Sequence, residues 1–153
     1  MEVDATKPHT SGTTGKGYGQ AFAHGSIAQM FAVVAGVVLT IAGVAGLIVN
    51  MSFAAGSGMT AEKLLLLDVN GWSSVLHLVT GVTLLAVAGS AVRARTAALV
   101  IGGIYLLLTV WSLFDNSILG LLSVNDMTAI IYAAIGVIGL TIGLGPDKSS
   151  PTR

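Results

Sequence analysis

One histidine in this chain stands where its chemistry would matter. His77 falls in an uncharged apolar stretch, residues 74–92, about one turn from its start. An ionisable side chain at membrane depth marks a functional site by default, as a ligand to haem or metal, a quinone contact or a proton carrier. Each role has a requirement. A bis-histidine haem needs a second histidine within an apolar stretch, and His9 and His24 lie before the first one. A proton relay needs a chain of titratable groups, and no Asp, Glu, Lys or Arg lies inside any apolar stretch. The plain alternative is that His77 bonds a backbone carbonyl or an outer-loop asparagine and helps pack a bundle.

Asn70 precedes this stretch, and Asn125 precedes a later one that carries Tyr132 at the matching depth. With Asn50 and Asn116, they place four asparagines near stretch ends. The four could form a polar ring that caps the bundle and closes the outer loops, since asparagine is a good N-cap, or a small polar-ligand site. Asn70, His77, Asn125 and Tyr132 are thus the candidate polar motif, with no catalytic, cofactor or metal residue assigned. Two weaker patterns fail. Gly12 to Lys16 resembles a phosphate loop, but Thr10 stands where the first glycine belongs and Gly17 follows the lysine. His9 and His24 are too far apart in a polar segment to make a metal site. The chain has no cysteine, which removes disulfides, thiolate nucleophiles and iron–sulfur clusters.

These residues need elements to hold them. Of 153 residues, 54% are hydrophobic and only 9% charged, with a mean hydropathy of +0.86. A soluble domain carries roughly 25% charged residues. In lipid, backbone polar groups must pair internally, so only helices or closed barrels span. The apolar runs are continuous rather than alternating, which selects helices. We expect an all-α membrane protein with four transmembrane helices over residues 27–49, 74–92, 97–114 and 128–144. Residues 1–26 and 145–153 read as flexible polar tails around a 27–144 membrane domain. The first apolar stretch is too long for a signal-peptide core. A short turn at Arg93-Ala94-Arg95-Thr96 joins the second and third spans, and residues 60–67 could form a short interfacial helix capped by Thr60.

Orientation follows from basic residues. Lys7, Lys16, Arg93, Arg95, Lys148 and Arg153 fall on the side of the tails, against Lys63 alone on the other. Both termini are therefore expected in the cytoplasm of a multi-pass plasma (inner) membrane protein. Trp72 and Trp111 fit interfacial anchors on the outer side. Arg93 and Arg95 fit topological anchors or contacts to anionic headgroups. Gly36 and Gly43 in the first span, and Gly136, Gly139 and Gly143 in the fourth, form small faces that let helices approach closely.

The chain also repeats itself. Residues 66–82, LLDVNGWSSVLHLVTGV, match residues 121–137, LLSVNDMTAIIYAAIGV, at six of 17 positions, including the Val-Asn and Gly-Val pairs. Both copies enter an even-numbered span from the outside, so the fold reads as two tandem helical hairpins in parallel orientation.

This repeat carries a resemblance. The chain resembles an uncharacterised family of small four-helix integral membrane proteins, common in actinobacteria, that bears a domain-of-unknown-function label. There each hairpin's second helix begins with Asn, has His or Asp three residues on and His seven residues on, and then an apolar run and Gly. The first copy here keeps Asn70, His77 and Gly81 with Ser73 between. The second keeps Asn125 and Gly136 but has Thr128 and Tyr132. The resemblance implies a fold and a membrane, not an activity.

With no catalytic set, no buried charge and no cofactor indicated, the chain reads as a non-enzymatic accessory or structural subunit of a larger membrane complex. Its partners would be membrane lipids and other membrane-protein subunits, not nucleic acid. The alternative is a small oligomeric transporter or channel for ions or small polar solutes, lined by the outer asparagines and by Thr80, Thr83 and Thr109.

Overall fold

The computed structural model describes residues 26–145. The expected tails, residues 1–25 and 146–153, with the phosphate-loop-like segment, His9 and His24, lie outside the described residues. Four helices dominate: α1 (Ile27–Val49), α2 (Gly71–Val87), α3 (Ala91–Ser112) and α4 (Asp126–Leu144). Between α1 and α2 lie a single 3-10 turn (Gly56–Gly58) and a hairpin of β1 (Glu62–Leu64) and β2 (Leu67–Val69). Between α3 and α4 lies a second, smaller hairpin of β3 (Ser117–Ile118) and β4 (Leu122–Ser123). Both strand pairs are antiparallel. The molecule is thus two tandem helical hairpins, each closed by a β-hairpin over the same end.

Length and composition make α1, α3 and α4 able to cross a membrane; α2, at 17 residues, is the shorter apolar helix. It runs antiparallel to α1, from Ser74 beside Gly46 at the loop end to the Gln29 Nε2–Ala88 O bond of 2.9 Å at the other. It therefore covers most of the height that α1 covers.

The helix starts follow from local capping. Ser26 and Gln29 form a capping box on α1, and Asn70 and Ser73 form one on α2. Asn125 accepts from the Thr128 N–H at 2.9 Å to cap α4, with Asp126 in the first turn. Such caps satisfy amide groups that a helix leaves open. α2 and α4 thus begin at Gly71 and Asp126, directly behind their asparagines, and not at residues 74 and 128.

Two expectations are corrected. Residues 60–67 are not an interfacial helix but most of the first β-hairpin. The four consecutive leucines give no one-sided stripe for a helix to bury. The chain reverses at Leu65, which takes a left-handed φ of 57° and stands 90% exposed. Lys63 and Asp68, paired in the ladder, form a salt bridge. The short turn between α2 and α3 is Ala88-Gly89-Ser90, not residues 93–96, so α2 ends at Val87 and α3 begins at Ala91. Apolar residues run on through this turn, and its only marks are a glycine and a serine, which are weak helix formers. Arg93 and Arg95 lie in the first turns of α3.

Within each hairpin the helices pack closely, and glycine decides how closely. A Cβ on Gly43 would lie 2.6 Å from the Leu78 N and 2.7 Å from the Ser74 O. One on Gly139 would lie 2.7 Å from the Ala98 O, and one on Gly143 2.6 Å from the Leu99 Cβ. Gly36 faces Leu85 and Gly81, and Gly136 faces Leu106. The core between the hairpins holds Leu39, Leu84, Ala94, Ala98, Ile101, Tyr105 and Tyr132, while Ile118 and Val124 are buried under the loops. Outward faces are apolar, with Val34, Ile41, Ile48, Leu107 and Ile130 all exposed.

Candidate functional site: a crossed polar interlock

The repeat places equivalent residues opposite each other. Asn70, fully buried, uses its Oδ1 to accept from the Ser73 N–H at 2.9 Å and donates its Nδ2 to the Leu121 O at 2.6 Å. Asn125 uses its Oδ1 for the Thr128 N–H and donates its Nδ2 to the Leu66 O at 2.8 Å. Leu66 and Leu121 are themselves equivalent in the repeat, as are the two asparagines. Each half's helix cap therefore reaches into the other half's β-hairpin, and the two bonds are mirror statements of one contact. Asn125 also approaches Asp68 Oδ1 at 3.3 Å.

About two turns deeper, another equivalent pair meets. His77 Nε2 lies 3.1 Å from the Tyr132 hydroxyl, and the rings stand edge to face with centroids 5.6 Å apart. Tyr105 of α3 joins them, 5.0 Å from Tyr132 ring to ring, and its hydroxyl lies 2.9 Å from Thr80 Oγ1. Thr80 can donate to the Leu76 O one turn back at 2.7 Å, which leaves its oxygen to accept from Tyr105. His77, Thr80, Tyr105 and Tyr132 are all buried. A tyrosine can donate to or accept from a histidine, so the His77–Tyr132 bond forms whichever ring nitrogen carries the proton. Among the described residues, Ser74 Oγ and His77 Nδ1 have no hydrogen-bond partner.

The candidate motif of Asn70, His77, Asn125 and Tyr132 is thus one continuous contact between the hairpins. His77 meets a phenol there, and neither a backbone carbonyl nor an outer-loop asparagine. Asn50 does not join a ring with the other asparagines. It ends α1, accepting from the Ser52 N–H at 2.8 Å. Asn116 is exposed in the loop that follows α3. Tyr105 escaped notice in the sequence. The signal was there: a tyrosine at the centre of a charge-free stretch of α3 must find a polar partner when buried. Among the described residues no three His, Cys, Asp or Glu side chains gather as a metal set.

At the other end, Arg95 Nε donates to the Gly143 O at 3.0 Å and its Nη2 to the Gly145 O, holding the last turn of α4 to α3. A cation suits those open carbonyls. An apolar groove of about 500 Å³ runs between α1 and α4, bordered by Phe31, Val34, Val38, Ile131, Ile135 and Ile138.

Fold and interlock together define a tandem-hairpin helical membrane protein whose polar interior joins its halves. A family model described as Domain of unknown function (DUF4383) matches residues 29–145, and the chain belongs to that family. No curated protein and no solved structure matches it.

Proposed function

We propose that the protein is a non-catalytic accessory or structural subunit of a larger complex in a bacterial plasma membrane, with actinobacteria as the hosts that the resemblance suggests. The observation that carries this reading is the open seam between α1 and α4. Each hairpin is tightly packed, yet the bundle leaves a groove of about 500 Å³ between its first and last helices, lined by apolar side chains alone. Such a groove suits lateral packing in lipid, where van der Waals fit drives association between helices.

The interior supports the same reading over a solute path. Its buried polar side chains Asn70, His77, Thr80 and Thr128 gather toward the loop end, and the layers below them include Gly36, Leu84, Ala98, Ile101 and Gly139. All four helices cross the bilayer in this proposal, with both termini cytoplasmic. Among the described residues, Arg93 and Arg95 lie at the end that holds both the start of α1 and the close of α4. Glu62, Lys63, Asp68, Asp115 and Asp126 lie at the other end. That distribution has the sense of the positive-inside rule.

Extraction of the native protein in a mild detergent should bring down a fixed set of larger membrane subunits. Substituting Val34 or Ile138 with Trp, to fill the groove, should release them while the four-helix unit stays intact. Recovery of the chain as a lone monomer or homo-oligomer under those conditions would sink this reading.

A further inference from the structure

A second groove, of about 390 Å³, lies between α2 and α3 beside their turn. Its wall is Val87, Val92, Val100 and Ile101, and Arg93 and Thr96 stand at its rim. Thr83 and Thr96 donate their hydroxyls to their own helices, to the Val79 O at 2.8 Å and the Val92 O at 3.1 Å. The wall therefore presents no donor that needs water. Arg93 differs from its neighbour. Arg95 is tied to the end of α4, whereas Arg93 is exposed and makes no hydrogen bond or ion pair among the described residues. The acidic residues described, Glu62, Asp68, Asp115 and Asp126, all lie at the opposite end of the bundle.

An apolar trough that ends in a guanidinium with no acidic partner among the described residues matches an amphiphile with a negative head. We propose that this groove is a binding site for an anionic phospholipid, its phosphate on Arg93 and an acyl chain along Val92 and Val100. A zwitterionic lipid gains less, because its head brings its own cation. The α1/α4 groove, lined only by apolar side chains, has no such selectivity. The proposal rests on the membrane reading and is independent of any partner subunit.

The test is native mass spectrometry of the full chain in detergent, titrated with dioleoyl phosphatidylglycerol or dioleoyl phosphatidylcholine. The expected result is about a fivefold preference for phosphatidylglycerol, the size of one basic residue's contribution near anionic lipid. Arg93→Gln should remove that preference, bringing phosphatidylglycerol binding down to the level of phosphatidylcholine. Val100→Trp should reduce both, and Lys63→Gln, at the other end, should change neither. Equal binding of the two lipids by the unmodified chain would overturn the proposal. So would a preference that survives Arg93→Gln, or one displaced by 10-fold excess inorganic phosphate. Disulfide cross-linking of Val100→Cys between two chains would instead assign the groove to a second copy. Alkaline-carbonate extraction checks membrane insertion separately, so failure of the lipid site and failure of the membrane reading give different results.

Discussion

Replacing Tyr132 with Phe removes one oxygen and little else. The ring contacts to His77 and Tyr105, at centroid separations of 5.6 and 5.0 Å, can persist, so packing is nearly conserved. What changes is His77. Its Nδ1 already has no partner among the described residues, and Tyr132→Phe strips Nε2 of the bond it makes there. A buried polar group left without a partner costs about 1–3 kcal/mol. Interhelical hydrogen bonds in membrane bundles average only about 0.6 kcal/mol, because the unfolded chain in the membrane also finds partners. His77 is 5% exposed and Tyr132 1%, which shuts out replacement water and places the expected loss near 1–1.5 kcal/mol. The assay is reversible unfolding in mixed micelles, run as a double-mutant cycle with His77→Phe. In the His77→Phe background, Tyr132→Phe should be neutral or slightly stabilising, since it then removes an unpaired hydroxyl. A loss below about 0.3 kcal/mol for Tyr132→Phe alone, or an equal loss in both backgrounds, would refute the reasoning.

Three further outcomes are expected. Gly43→Ala should destabilise by about 1–3 kcal/mol, because its methyl group meets the α2 backbone, while Gly89→Ala, with open space around it, should be neutral in the same unfolding assay. Asn70→Ala and Asn125→Ala should each cost about 1–2 kcal/mol for the lost cap; limited proteolysis should show that each also loosens the β-hairpin of the other half, and protection of that hairpin would contradict the crossed bonds. Because the chain has no cysteine, single substitutions report topology cleanly: Ser57→Cys should react with an impermeant maleimide on intact cells, and Ser90→Cys only after the membrane is opened.

The parts of the fold set by burial in an apolar medium were readable from residue types. α1 falls at residues 27–49 as expected, because Ser26 and Asn50 bracket a run with no charge and no competing break. The 55-residue repeat pointed to the equivalence of Asn70 with Asn125 and of His77 with Tyr132, and those pairs stand opposite each other. The turn between α2 and α3 was misplaced for a physical reason. Hydropathy does not see a bend made of alanine, glycine and serine, and an arginine in a helix's first turn can extend its head to water while its stem stays apolar. The β-hairpins were missed because their strands are only two or three residues long, too short for alternation to show. Tyr132 read as the loss of a histidine. Only three dimensions show that the residue facing it is His77 itself, and that a phenol keeps the bond.

The crossed asparagine bonds make the chain a two-fold dimer written as one polypeptide. In a dimer of identical hairpins, each substitution arrives twice, and residues on the symmetry axis must tolerate their own image. Joining the halves frees axial positions to diverge. A histidine opposite a tyrosine always has both a donor and an acceptor available, whereas two facing imidazoles must agree on their tautomers. Positions 77 and 132 are therefore where the two halves of this chain differ without loosening the joint.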